Sequence, residues 1–169
     1  KTFDIDYLIL LGNHNCVEKK DHILYTNIKE YYENIPTKII TGLEWIYYNT
    51  LYSHIYKVDD DFFALNINNS EEIYNCLHYG NDFIKKLIRT YHFNKCNDKE
   101  LNKSEYDGKF RYNYASGGYG YILSRKAIFI LLQNKNYICK EMYEDKAIGD
   151  VLYTNNIIIN STNYYKLNY

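Results

Sequence analysis

The segment His54-Ile55-Tyr56-Lys57-Val58 runs directly into three aspartates, Asp59, Asp60 and Asp61, and on into Phe62-Phe63-Ala64-Leu65. This juxtaposition restricts the fold more than any other stretch, because a buried apolar run and a block of like charge have opposite solvation needs. The economical solution is a strand that ends at the rim of a sheet and delivers its carboxylates there. Aspartate runs are usually solvated turns, but one wedged between apolar segments is either costly or useful. Mg²⁺ and Mn²⁺ prefer hard oxygen ligands and often bind through one or two carboxylates together with substrate phosphates. A cation would also relieve the repulsion among adjacent acids. The run reads as a metal site for a nucleoside-diphosphate substrate.

The chain's 169 residues are most economically one domain, 1–169, long enough to bury a core. Hydrophobic content of 46% argues for a folded globule. A net charge of −1 gives no electrostatic case for nucleic acid or an anionic membrane as main partner. The 22 tyrosines, with abundant Asn, Ile and Lys, resemble the drift of an AT-rich genome, so their number carries no argument alone. Cys16, Cys76, Cys96 and Cys139 form no CxxC pair, which makes a zinc reading poor and leaves reduced thiols or disulfides open. No stretch approaches the roughly 20 apolar residues of a membrane helix. No signal peptide is visible after Lys1-Thr2-Phe3-Asp4, an absence that would carry little weight if the chain were a segment of a longer protein.

Strands and helices are expected to alternate. Tyr7–Leu11, closed by Gly12-Asn13, reads as a buried strand and turn, and His22–Tyr25 as a second strand. Between Ile28 and Tyr52, apolar positions Ile35, Ile39, Leu43, Ile46 and Tyr47 recur at helical spacing, with Pro36 near the start. Ile55–Val58 is the strand feeding the acidic turn. Ile73–Leu77 reads as a strand or a short helix, and residues 94–111 as a polar surface loop. Tyr121–Ser124 leads into a helix from Arg125 to about Gln133. Tyr143–Tyr153 is helical, and Ile157–Ile159 reads as a last strand. Strands separated by helices imply an α/β architecture with a mostly parallel central sheet flanked by helices. Ligands of such sheets sit beyond the carboxyl ends of strands, where the acidic turn would lie.

Two further segments carry chemistry. Ser116-Gly117-Gly118-Tyr119-Gly120 allows close backbone approach and positive φ, but lacks the ending of a P-loop and is no dinucleotide fingerprint. Glu144 and Asp145 open a helix, where acids are stabilising on electrostatic grounds alone.

Lys57-Val58-Asp59-Asp60-Asp61-Phe62 resembles the "KVDDD" signature of the β-1,3-galactosyltransferase, β-1,3-N-acetylglucosaminyltransferase and Fringe group of glycosyltransferases. Ser116–Ser124 is similar to that group's "SGGGYVLS" segment, and Glu144-Asp145-Lys146-Ala147-Ile148-Gly149 to its "EDVYVG" segment. Upstream, Asp21–Leu24, Tyr31–Asn34, Thr37-Lys38 and Trp45 resemble the pattern "DIL…DSYxNLTLKT…W". Order and approximate spacing hold from about Tyr7 to Ile159.

The resemblance implies a GT-A-like, Rossmann-like fold and a UDP-sugar donor whose diphosphate is bridged by Mn²⁺ or Mg²⁺. It further implies inversion at the anomeric carbon and transfer to a glycan or glycoprotein acceptor, forming a β-1,3 bond. Asp145 matches the catalytic base. Asp61 matches the direct metal ligand, with Asp59 beside it. Asp59, Asp60, Ser116, Gly117, Gly118 and Glu144 fall on the nucleotide-sugar side, and Lys38 is a candidate phosphate contact or a solvated helix lysine. It implies the Golgi lumen for a fragment of a typical member and the cytoplasm for a complete chain.

There are departures. The family's first strand and its Arg-rich "R…IRxTW" segment have no match, and a C-terminal histidine ligand has no counterpart after His92. Lys146-Ala147 replaces the usual pair, and Lys146 beside the base is expected to lower its pKa. A catalytically silent glycan-binding or assembly module is the competing reading, and a metal-dependent phosphohydrolase a third.

Overall fold

The computed structural model describes residues 6–60, 74–76, 79–80, 89–110 and 112–161. The first sheet holds β1 (Ile9–Leu11), β2 (Glu18–Lys20) and β3 (Ile23–Tyr25) in the order β1-β3-β2. β1 runs parallel to β3 and β2 antiparallel to it. The tight reversal into β3 places Asp21 at φ 51, a conformation that a short polar side chain tolerates. β1 exists as expected but is not buried on both faces: Ile9 is 48% and Leu11 39% exposed. Among the described residues it stands at the sheet edge, paired with β3 alone.

Helix α1 (Ile35–Asn49) follows a 3₁₀ turn at Tyr32–Asn34 and carries Pro36 in its first turn, where the missing N–H costs nothing. Pro36, Ile40 and Leu43 form its buried stripe, and Ile39 and Tyr47 pack at the margin. Gly42 lets the helix approach β1, since a Cβ there would lie 2.9 Å from Leu10 Cδ2.

The second sheet holds β4 (His54–Lys57), β5 (Tyr74–Cys76), β8 (Tyr121–Ser124) and β9 (Asn160–Ser161) in the order β4-β8-β5-β9. Two further strands, β6 (Tyr79–Gly80) and β7 (Tyr114–Ala115), pair with each other antiparallel. A mostly parallel central sheet is not shown among the described residues. β8 is antiparallel to both β4 and β5, and only β9 joins parallel, against β5. Strand-helix alternation in the sequence sets the layers but not strand direction, which depends on connections of the kind that follow Asp60. Ile157 and Ile159 are buried in extended chain just before β9, so the last pairing starts after the expected Ile157–Ile159 run.

All four residues of β8 are buried, and Ser124 then caps α2 (Arg125–Gln133) by accepting the Ala127 N–H at 3.2 Å. Arg125 turns back and donates to the carbonyls of Thr50 and Tyr47, satisfying the end of α1. A short helix α3 (Lys135–Ile138) leads to α4 (Glu144–Thr154). Ile40, Leu43, Leu123, Ile128, Leu131, Ile148 and Leu152 make one core from α1, α2, α4 and β8. Of the expected loop 94–111, the described residues 94–110 are turns and irregular chain, and they also cover a second cluster built on Phe110, Tyr114 and Tyr143. Among the described residues, Cys16, Cys96 and Cys139 are free thiols, and no helix is long and apolar enough to cross a membrane.

Candidate active site

Three stretches far apart in sequence meet at the end of β4. The ladder sets Lys57 opposite Tyr121, so the loop before β8 crosses the strand's exit. That loop is the 3₁₀ turn Gly117–Tyr119 followed by Gly120 at φ 81. A Cβ at Gly120 would lie 2.7 Å from the Lys57 carbonyl, so only glycine lets the loop press this closely. Helix α4 is drawn in from the other side. Its Gly149 sits where a Cβ would reach 2.3 Å from Tyr114 Cβ, which brings its first turn beside the glycine loop.

Lys57 is the hub. Its ammonium donates to Asp59 Oδ1 at 2.5 Å and to the Gly117 carbonyl at 3.2 Å. Burial pulls its pKa down, but the carboxylates of Glu144 and Asp59 outweigh burial and hold it above the ordinary lysine value. The Gly117 N–H donates to Asp145 Oδ2 at 3.0 Å, and the Lys146 N–H to Asp145 Oδ1 at 2.8 Å. Asp145 is thereby fixed in orientation while half-buried at the helix start. Glu144 lies deeper, 6% exposed, and accepts the Tyr121 hydroxyl. Burial pushes its pKa up to about 7; Lys57 opposes the rise and Asp145 adds to it.

The expected site residues divide accordingly. Asp59, Gly117, Gly118, Glu144 and Asp145 come together. Gly117 is buried against Glu144 and Asp145, because a Cβ would lie 3.1 Å from Glu144 Oε2. Gly118 is exposed, and the nearest atom to a Cβ there is Asp59 Oδ2 at 3.8 Å. Asp60 is exposed beside Asp59, and Ser116 is half-buried, with its carbonyl accepting the Tyr119 N–H. Asp61 lies outside the described residues. Lys38 pairs with Glu30 at 2.7 Å, and Glu30 also accepts the Gly12 N–H, so both brace the exit of β1.

The ammonium of Lys146 faces away from the expected base. It pairs with Asp150 at 2.9 Å and Glu141 at 3.3 Å, while its backbone N–H donates to Asp145. Residue order alone put that charge beside Asp145; the helical turn directs the side chain elsewhere.

Three contributors escaped the sequence reading. Lys57 was quoted without a role, although strand alternation places residues i and i+2 on one side and so aligns it with Asp59. Tyr121 hid inside an apolar strand. His92 has no sequence signal: its Nδ1 lies 2.8 Å from the Tyr143 hydroxyl and its Nε2 3.0 Å from the Ser104 carbonyl. Nε2 carries the hydrogen that meets the Ser104 carbonyl.

The arrangement offers exposed hard oxygen donors at the rim, a backbone without side chains beside them, and an oriented carboxylate behind. No curated protein matches the chain. The sequence model described as galactosyltransferase matches residues 14–163, a span that contains all three converging stretches. By that match the chain belongs to the galactosyltransferase family, which includes β-1,3-galactosyl- and N-acetylglucosaminyltransferases, and is a glycosyltransferase.

Proposed function

We propose that this chain is a single-domain, GT-A-like, metal-dependent inverting transferase. It moves a hexose-type sugar from a UDP donor to a hydroxyl of a glycan or glycoprotein, forming a β-1,3 bond. The observation that carries the reading is the linkage of Asp59, through Lys57 and Gly117, to Asp145. A carboxylate at the strand's rim and an oriented carboxylate at a helix start are thereby held in one rigid chain of bonds.

The residues present fit a divalent cation. Lys57 engages Oδ1 of Asp59, while Oδ2 faces the open ground beside Gly118, and the side chain is 46% exposed. Asp59 and Asp61 would hold Mn²⁺ or Mg²⁺, with Asp60 on the nucleotide side. When bound, the cation neutralises charge building on the departing diphosphate.

Asp145 takes the proton of the acceptor hydroxyl. Each of its oxygens accepts a backbone N–H, which fixes the direction in which the carboxylate meets that proton. The hydroxyl oxygen's electron pair forms the new bond to C1, and the bond from C1 to the phosphate oxygen breaks with its pair on UDP. Attack opposite the leaving group inverts C1. Gly118 keeps side chains out of the donor's path, and buried Glu144 supports Gly117 and Tyr121 from below.

Calorimetric titration of UDP, with Mn²⁺ and then with excess EDTA, tests this. Binding that requires Mn²⁺ and disappears in Asp61→Ala is expected. No UDP binding in either condition would assign the chain to the silent glycan-binding module instead.

A further inference from the structure

Where the connection from β1 enters β2, one side-chain atom each from His14, Cys16 and Glu18 lies within 4.8 Å of the other two. We propose that these three residues form a zinc site, independent of the carboxylate cluster that ends β4. The donors are an imidazole nitrogen, a thiol and a carboxylate, a set that suits Zn²⁺ and not the hard cations expected at Asp59.

The spacing suits tetrahedral coordination. Nitrogen and oxygen ligands at about 2.0–2.1 Å from zinc stand about 3.3 Å apart, and a thiolate about 3.6 Å from either. His14 Nε2 and Glu18 Oε1 are already 3.2 Å apart. Closing the thiol onto them takes roughly an ångström, which the exposed Cys16 side chain supplies by rotation.

The hydrogen bonding agrees. His14 Nδ1 lies 3.4 Å from the Cys16 carbonyl. A carbonyl only accepts, so Nδ1 carries the hydrogen there and Nε2 is left to face Glu18. Ligating histidines characteristically use their second nitrogen in this way, donating it to a carbonyl or carboxylate.

The segment is clamped at both ends. The His14 N–H donates to the Thr26 carbonyl at 3.0 Å, and Glu18 pairs with Tyr25 in the ladder of β2 and β3. The His14 ring packs on Tyr25 with centroids 4.9 Å apart. Lys20, 3.0 Å from Glu18 and 63% exposed at its side chain, is a solvated competitor that a divalent ion displaces. Three protein ligands leave the fourth position open to water.

Cobalt(II) titration of the reduced full chain tests the site, because a thiolate bound to Co²⁺ gives a charge-transfer absorption that oxygen-only sites lack. One equivalent of Co²⁺ should produce the band, and one equivalent of Zn²⁺ should bleach it. Cys16→Ser should abolish it, His14→Gln and Glu18→Gln should each weaken Co²⁺ binding at least tenfold, and Cys139→Ser should leave it intact. Absence of the band in the unaltered chain, or its survival in Cys16→Ser, would overturn the proposal.

Discussion

Lys57 is half-buried and Lys146 fully buried, and both are held by carboxylates, yet their surroundings are built to different ends. Lys146 is closed in. Asp150 and Glu141 grip it at 2.9 and 3.3 Å, the rings of Tyr106 and Tyr137 lie 5.5 and 5.9 Å from its ammonium, and Tyr137 donates to Asp150. Lys57 faces Asp59, Glu144 and Asp145, and that group opens to solvent at Asp59 and Gly118. Asp59 and Asp145, with Glu144 holding its proton up to about pH 7, outnumber the one cation at Lys57, and the open side lets further positive charge in. Buried ion pairs mark a structural brace or a working site according to their charge balance and access, not their chemistry.

Four tests can break or sharpen that contrast. The largest effect belongs to Asp145→Asn, which should leave UDP affinity intact while lowering transfer about 10²–10⁴-fold, the usual share of a general base. Turnover at the unaltered rate would remove Asp145 from the chemistry. Next comes Lys146→Met, which strands Asp150 and Glu141 without a counter-charge and should cost about 3–5 kcal/mol in urea unfolding. Lys57→Met should cost less, because Asp59 relaxes into water; the reverse ranking would refute the distinction between brace and open site.

The third test is pH. Glu144 rises from 4.5 to about 7 on burial, so the folded protein holds a proton that the unfolded chain has released. Its stabilising contribution is complete below pH 4.5 and is lost as pH rises through about 7. At about 1.4 kcal/mol per unit, the span is on the order of 3 kcal/mol in metal-free protein. Glu144→Gln should flatten the stability profile across that window, and an unchanged slope would show that another group titrates there. The smallest effects separate the two glycines. Gly117→Ala crowds Glu144 Oε2 and should cost about 1–3 kcal/mol, whereas Gly118→Ala should leave stability almost unchanged and weaken donor binding. Equal stability losses would mean that Gly118 is as enclosed as Gly117.

Much of the local structure was legible because it depends on neighbours in sequence. Pro36 marked the first turn of α1, the end of Tyr121–Ser124 the start of α2, and the acids at Glu144 and Asp145 the start of α4. The three motif segments were legible as chemistry, and the span matched by the family model contains all of them. Sheet direction was not legible, since pairing partners are chosen by burial across long loops. Nor was the exposure of Ile9 and Leu11, because an apolar run reads alike at a sheet's edge and at its centre.

The sequence by itself determined which residue types stand where: carboxylates after β4, glycines before β8 and acids at the start of α4. Their order and spacing carried the family. Only the tertiary structure decided what those groups do to one another. It turned Lys57 inward as their shared cation, sent Lys146 away from Asp145, and buried Glu144 until its proton became hard to lose. Those outcomes rest on distance and desolvation, which fall steeply over a few ångströms and are fixed only when distant segments pack.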